Sequence, residues 1–155
     1  MEAVREAVPA DARRYAELEA EFLAALVTQR GGALAVDPLS TDGVGPAALP
    51  VLLEDRARLV LVGTLDSVVT GFAHSHVVDL GGHGRRGVLD ACYVEPGARG
   101  VGLGRLLLDD VMSWLRDQGC LGVDGVALPG DRGAKSFYEA AGFKARLLTM
   151  HHTFD

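Results

Sequence analysis

The residues with the clearest chemistry lie in the stretch Val94-Glu95-Pro96-Gly97-Ala98-Arg99-Gly100-Val101-Gly102-Leu103-Gly104. Glycine at alternate positions leaves main-chain N–H groups uncovered. A helix starting there adds the partial positive charge of its dipole. Together they suit a phosphate or pyrophosphate, and Arg99 adds a cation with a planar fork of donors. Two other phosphate loops are excluded. Leu107 stands where a Gly-x-Gly-x-x-Gly read from Gly102 needs glycine, and no Gly-Lys-Ser/Thr follows. A bare strand-to-helix turn needs one glycine and no arginine.

A second group runs from Asp131 through Ala134, Phe137 and Tyr138 to Gly142 and Phe143. Alone it reads as a short helix with a glycine cap, with Phe137 and Phe143 in the core and Tyr138 facing elsewhere. Asp90 precedes Val94 by four residues on one predicted strand, so both side chains share a face unless a bulge intervenes. His74 and His76 share a face of the neighbouring strand and suit proton transfer near neutral pH. Glu95, beside the loop, is another candidate base. Cys92 reads as a small core residue rather than a nucleophile. His151 and His152 are adjacent and would point to opposite faces of a strand, which argues against a shared metal, and no Cys or His spacing reads as zinc.

These groups need elements to position them. Ala3 to Val8 reads as a strand. Asp11 is a candidate cap for a helix carrying Tyr15, Leu18, Phe22, Leu23 and Leu26 at helical spacing. Loop chemistry occupies 33–45, and a short helix is expected from Pro46 to Asp55. Arg58–Leu65 and Val68–Val78 read as a hairpin joined at Asp66-Ser67, and Val88–Val94 as the next strand. A helix from about Gly102 to Gln118 buries Leu103, Leu106, Leu107, Val111, Trp114 and Leu115, with Gly119 closing it. Leu121–Leu128 is a strand, Arg132–Ala141 a helix, and Arg146–Phe154 a last strand. An antiparallel run followed by helix crossovers gives an α/β protein, a mixed and mostly antiparallel sheet flanked by helices.

Arg99 to Gly104 resembles the acyl-CoA loop of the GNAT superfamily of N-acetyltransferases, Gln/Arg-x-x-Gly-x-Gly/Ala. Ala134-x-x-Phe137-Tyr138-x-x-x-Gly142-Phe143 resembles the same family's helix near the end of the domain, at the expected distance. The likeness is specific over about residues 88–143 and extends loosely to one domain over 1–155. It implies a GNAT-like acyl-CoA N-acyltransferase fold and transfer of an acetyl group from acetyl-CoA to a primary amine by direct attack. The amides of Arg99, Gly100, Val101, Gly102, Leu103 and Gly104 would hold the CoA pyrophosphate. The strand at Tyr93 and Val94 would pair with the pantetheine arm and polarise the thioester carbonyl. Tyr138 would protonate the leaving thiolate. Ala134 and Asp131 would border the pantetheine; Asp131 replaces the family's usual Asn and lacks its amide donor. For the base, Asp90, Glu95, His74 or His76, and a water relay all remain open. So does a non-catalytic acyl-CoA-binding sensor or interaction module.

Composition narrows the classes. The 155 residues carry 21 acidic against 15 basic side chains, a formal charge of −6. That argues against nucleic-acid binding and admits a cationic substrate. About two thirds of the open chain's surface can be buried at this size. No apolar run reaches the roughly 18 residues of a membrane span. The charged first residues do not read as a secretory signal, and two cysteines outside any CxxC suit a reduced, cytoplasmic setting. Eight of the 20 glycines fall between Gly81 and Gly104. The acceptor pocket is expected from the first helix, residues 31–50 and the hairpin loops, where Asp37, Asp42, Glu54 and Asp55 could favour a cation. Relatives of this kind are often dimers, so a homodimer is admitted.

Overall fold

A computed structural model describes residues 1–32 and 48–155. Five strands form one sheet in sequence order: β1 (Glu2–Glu6), β2 (Arg58–Leu65), β3 (Val68–Asp79), β4 (Arg85–Val94) and β5 (Cys120–Gly125). The first four pair antiparallel, and β5 lies parallel to β4. Helices α1 (Ala12–Val27) and α2 (Ala48–Glu54) cover one face, α3 (Leu103–Asp117) the other, and α4 (Arg132–Ala140) packs beside α3. Of the expected loop and helix, residues 33–47 lie outside the described residues.

Strand alternation sorts the core into two layers. Val60, Val62, Phe72 and Tyr93 meet Tyr15 and Leu18 of α1 and Leu49 and Leu52 of α2. Leu59, Leu61, Ala73 and Leu89 meet α3. The α3 stripe is Leu103, Leu107, Leu108, Val111 and Leu115, each no more than 2% exposed. At about 1.5–3 kcal/mol per buried leucine or valine, this stripe anchors the element whose first turn forms the glycine-rich loop. Leu106, expected in the stripe, is 42% exposed, and Leu108 takes its place. The β2–β3 turn places Asp66 and Ser67 at positive φ, the geometry of a two-residue hairpin.

Three sequence expectations change. Asp11 stands at the start of α1, but its carboxylate turns back to accept from Val8 N–H and from both Arg5 terminal nitrogens at 2.7–2.9 Å. β5 ends at Gly125 instead of Leu128. The last expected strand is not formed: residues 144–155 are exposed and make no ladder.

Candidate active site

The register of β4 against its two neighbours opens the site. β4 pairs with β5 only from Arg85 to Leu89, where Leu89 stands opposite Gly125. Beyond that point β4 continues to Val94 while the other chain departs, so the sheet splays into a V. Glu95 N–H donates to Thr70 O at 2.9 Å, and antiparallel alternation then points the main-chain groups of Tyr93 and Ala91 at β3. Those of Cys92 and Val94 point the other way, into the opening. Of the two β4 residues expected at the pantetheine, Val94 therefore offers its amide, while the main chain of Tyr93 pairs with Phe72. The Tyr93 ring packs with Phe22 and Phe72.

The opening leads into a cavity of about 580 Å³, bounded by the end of α1, residues 90–94, the loop at 98–105, the chain after β5, and α4. At the loop, Gly100 and Gly102 adopt φ of 86° and 90°, a conformation that L side chains rarely take. Leu106 N–H is bonded to Gly102 O at 3.1 Å; ahead of it lie the amides of residues 103–105, which a helix start leaves without intrahelical acceptors. Arg99 is held on two sides: its Nε donates to Val94 O at 2.7 Å, and its guanidinium stands 5.5 Å from the Tyr93 ring centre. Its terminal nitrogens extend the loop's donor set. Open amides, a helix start and a fixed guanidinium fit a diphosphate.

Tyr138, on α4, lines the same cavity. Its ring lies between Phe137 and Phe143 and against Gly125, where a Cβ would come within 2.9 Å of the ring. Gly125 thus both ends β5 and makes room for the tyrosine. Burial pushes the phenol above its usual range, with Cys92 and Asp131 adding to the effect, so it is protonated at neutral pH. Asp131 caps α4, accepting from Ala134 N–H at 2.9 Å. The carboxylate at this off-pattern position therefore has a structural task. Cys92 is enclosed, and burial pushes its thiol up to about 12, which excludes a thiolate nucleophile at neutral pH.

Asp90 does not share a face with Val94. The β3–β4 ladder slips between His74 and Ser75, with His74 opposite Ala91 and Ser75 opposite Leu89. Asp90 is the residue left over, and this bulge breaks the alternation with Val94. Its Oδ2 lies 2.7 Å from His76 Nδ1 and 3.9 Å from His74 Nε2. Asp90 borders the cavity with His76 behind it. Glu95 is engaged elsewhere, its Oε2 2.7 Å from Arg14 Nη2. Asp55 is spent on Ala57 N–H and Arg58, and Glu54 is exposed. Asp37 and Asp42 lie outside the described residues.

One acidic residue near this cluster escapes the sequence reading. Glu19, 9% exposed, accepts from the Tyr15 hydroxyl one turn earlier, and its Oε2 is buried with no partner. Burial raises its carboxyl to about 7. The signal was available: Tyr15, Leu18, Glu19 and Phe22 share one helical stripe, and only Glu19 breaks its apolar character. Among the described residues, no three His, Cys, Asp or Glu side chains gather as a metal site, and no helix is long and apolar enough to cross a membrane.

Comparison with known proteins agrees with this geometry. Residues 33–143 match the family described as acetyltransferase (GNAT). The aminoglycoside N(6')-acetyltransferase type 1 of Stenotrophomonas maltophilia is 30% identical over 148 residues, spanning 91% of this chain and 85% of the relative. Solved structures with the same fold include the BH1408 protein of Bacillus halodurans, with a TM-score of 0.82, 20% identity and 98% and 99% of the two chains covered. AAC(6')-Iy, solved with the bisubstrate analogue CoA-S-monomethyl-acetylneamine, gives 0.73 at 17% identity, covering 100% and 99%. The chain belongs to the acetyltransferase (GNAT) family, and it is an acyltransferase.

Proposed function

We propose that this enzyme carries the acetyl group of acetyl-CoA to a primary amine on a small polycationic acceptor of the aminoglycoside type, and that it works in the cytoplasm. One observation carries the reading: a single cavity brings together the open amides of the glycine loop, the unpaired Val94 amide, the Asp90 carboxylate and the Tyr138 phenol. The acceptor class rests on the Stenotrophomonas relative and on the acidic balance of the chain.

Each residue has a part that its placement supports. The loop amides from Arg99 to Gly104, with the Arg99 guanidinium, hold the diphosphate of the carrier. Val94 N–H donates to the thioester oxygen and stabilises the charge that develops there. Asp90, backed by His76, takes the proton of the attacking amine. The amine nitrogen bonds to the acetyl carbon, the carbon–sulfur bond breaks, and the sulfur takes its proton from Tyr138. Ala134 and Asp131 flank the arm between loop and reacting end.

The test is thiol release from acetyl-CoA with a panel of aminoglycosides, polyamines, amino acids and peptides. Release with aminoglycosides, matched by a mass gain of one acetyl group on the acceptor, supports the reading. Release only with peptides or amino acids removes the acceptor class. Tight acetyl-CoA binding with no release on any amine overturns the catalytic assignment.

A further inference from the structure

Residues 144–155 have the sequence of a strand but no strand to join. Leu147, Leu148, Met150 and Phe154 stand 74%, 79%, 87% and 87% exposed. At a period of two, Leu148, Met150 and Phe154 fall on one side, the pattern of a half-buried strand. Scattered exposed leucines need no explanation, but four large apolar side chains within eight residues do.

The sheet supplies the complementary feature. β5 is an edge strand of six residues, and its outer main-chain groups pair with nothing in the ladder. Leu121 on it is 82% exposed. A free edge of this kind is a template for another strand.

The chain's own segment does not fill its own edge. Arg146 Nε is fixed to Asp124 Oδ1 at 2.7 Å, which brings the segment to the far end of β5. An antiparallel strand starting from that anchor would set Leu148 beside Gly122 and Met150 beside Cys120, and there β5 ends. His151 to Asp155, with Phe154 among them, would overrun the edge. Each copy therefore holds a short free edge and a longer strand-forming segment.

We propose that the segment after Arg146 crosses to the β5 edge of a second copy, whose own segment crosses back. A two-fold axis makes this exchange self-complementary and closed, because the same two features meet twice. Main-chain hydrogen bonds supply the pairing, as in strand addition generally. The four apolar side chains from each copy, at roughly 100–150 Å² apiece, reach the roughly 1,000 Å² that a lasting interface needs.

Sedimentation velocity of the full chain tests this, with a full-length Met150→Glu, Phe154→Glu double variant beside it. The expected result is twice the chain mass at tens of micromolar for the parent and a single chain mass for the variant. Acetyl-CoA binding should be unchanged in the variant, since neither residue lines the cavity. Amide exchange at residues 120–125 and 147–154 should slow in the parent as concentration rises. A parent that stays monomeric at about 100 μM overturns the proposal. So does a variant that still dimerises, or protection of these amides that does not depend on concentration, which would mean pairing within one chain.

Discussion

Asp90 reaches His76 because the strand carrying it holds one residue more than its neighbour can pair. Ala91 sits opposite His74 and Leu89 opposite Ser75, and the residue between them turns its carboxylate to within 2.7 Å of His76 Nδ1. A bulge that re-aims a side chain beside a functional cavity is a known use of this irregularity. It sets an acid at the cavity wall with an imidazole behind it that is about a quarter exposed.

From that pairing, Asp90→Asn keeps the shape of the group and removes its proton acceptor. kcat/KM for the amine is expected to fall roughly 10²- to 10³-fold, within the range of one acid–base group. Acetyl-CoA affinity should hold within about two-fold. His76→Gln should cost less, since it acts through Asp90, and should reshape the pH profile of kcat/KM. Steady-state kinetics across pH decides; an Asp90→Asn enzyme with the parent's profile removes Asp90 from the proton path.

How much of this was legible depends on the range of the interactions involved. The glycine loop and the Tyr138 helix were legible because their signals are local. Positive φ at Gly100 and Gly102, the start of α3 and the cap of α4 are each written within a few residues. The face of Asp90 was not, because a bulge is settled between two strands and not within one. The end of β5 was hidden for a similar reason: Gly125 yields to the Tyr138 ring, a contact across 13 positions of sequence. The expected strand at Arg146–Phe154 has the right pattern but found no partner edge within the described residues of its own chain.

Tyr138 gives a prediction with an internal control. Tyr138→Phe leaves the ring packing on Phe143 and Gly125 and deletes only the hydroxyl. kcat is expected to drop about 10²-fold with little change in acetyl-CoA affinity. Gly125→Ala leaves the phenol in place but drives a methyl group to within about 3 Å of its ring, so the ring must shift. A displacement of this size in an active site also lowers kcat. If kcat survives both changes, the proton reaches the sulfur by another route.

Gly102 separates backbone strain from crowding. A Cβ there meets nothing within 4 Å, yet φ is 90°. Gly102→Val should therefore be penalised through the main chain alone, by about 1–3 kcal/mol if the loop keeps its shape. Relaxation of the loop would turn its amides away from the diphosphate. Titration calorimetry is expected to show acetyl-CoA binding weakened at least ten-fold while the circular dichroism spectrum is retained. Binding at parental strength would show that these amides do not hold the carrier.

The buried Glu19 carboxyl makes stability depend on pH in a direction opposite to that of most acids. It titrates near 7 in the folded chain and near about 4.3 in an open one. The folded state therefore holds the proton over the window in which the unfolded state has lost it. The stabilisation is complete below the lower value and is lost as pH rises toward the upper one. Asp11 and Asp124, both lowered by their arginine partners, work the other way, but below their ordinary range near 3.8 and outside this window. Glu19→Gln cannot ionise, so it escapes the loss. Relative to the variant, the parent is expected to lose on the order of 3 kcal/mol or less between pH 5 and pH 8. Urea midpoints at the two pH values measure this directly. A gap between parent and variant that stays constant across the window would mean that Glu19 is ionised throughout, stabilised by a partner that offsets its burial.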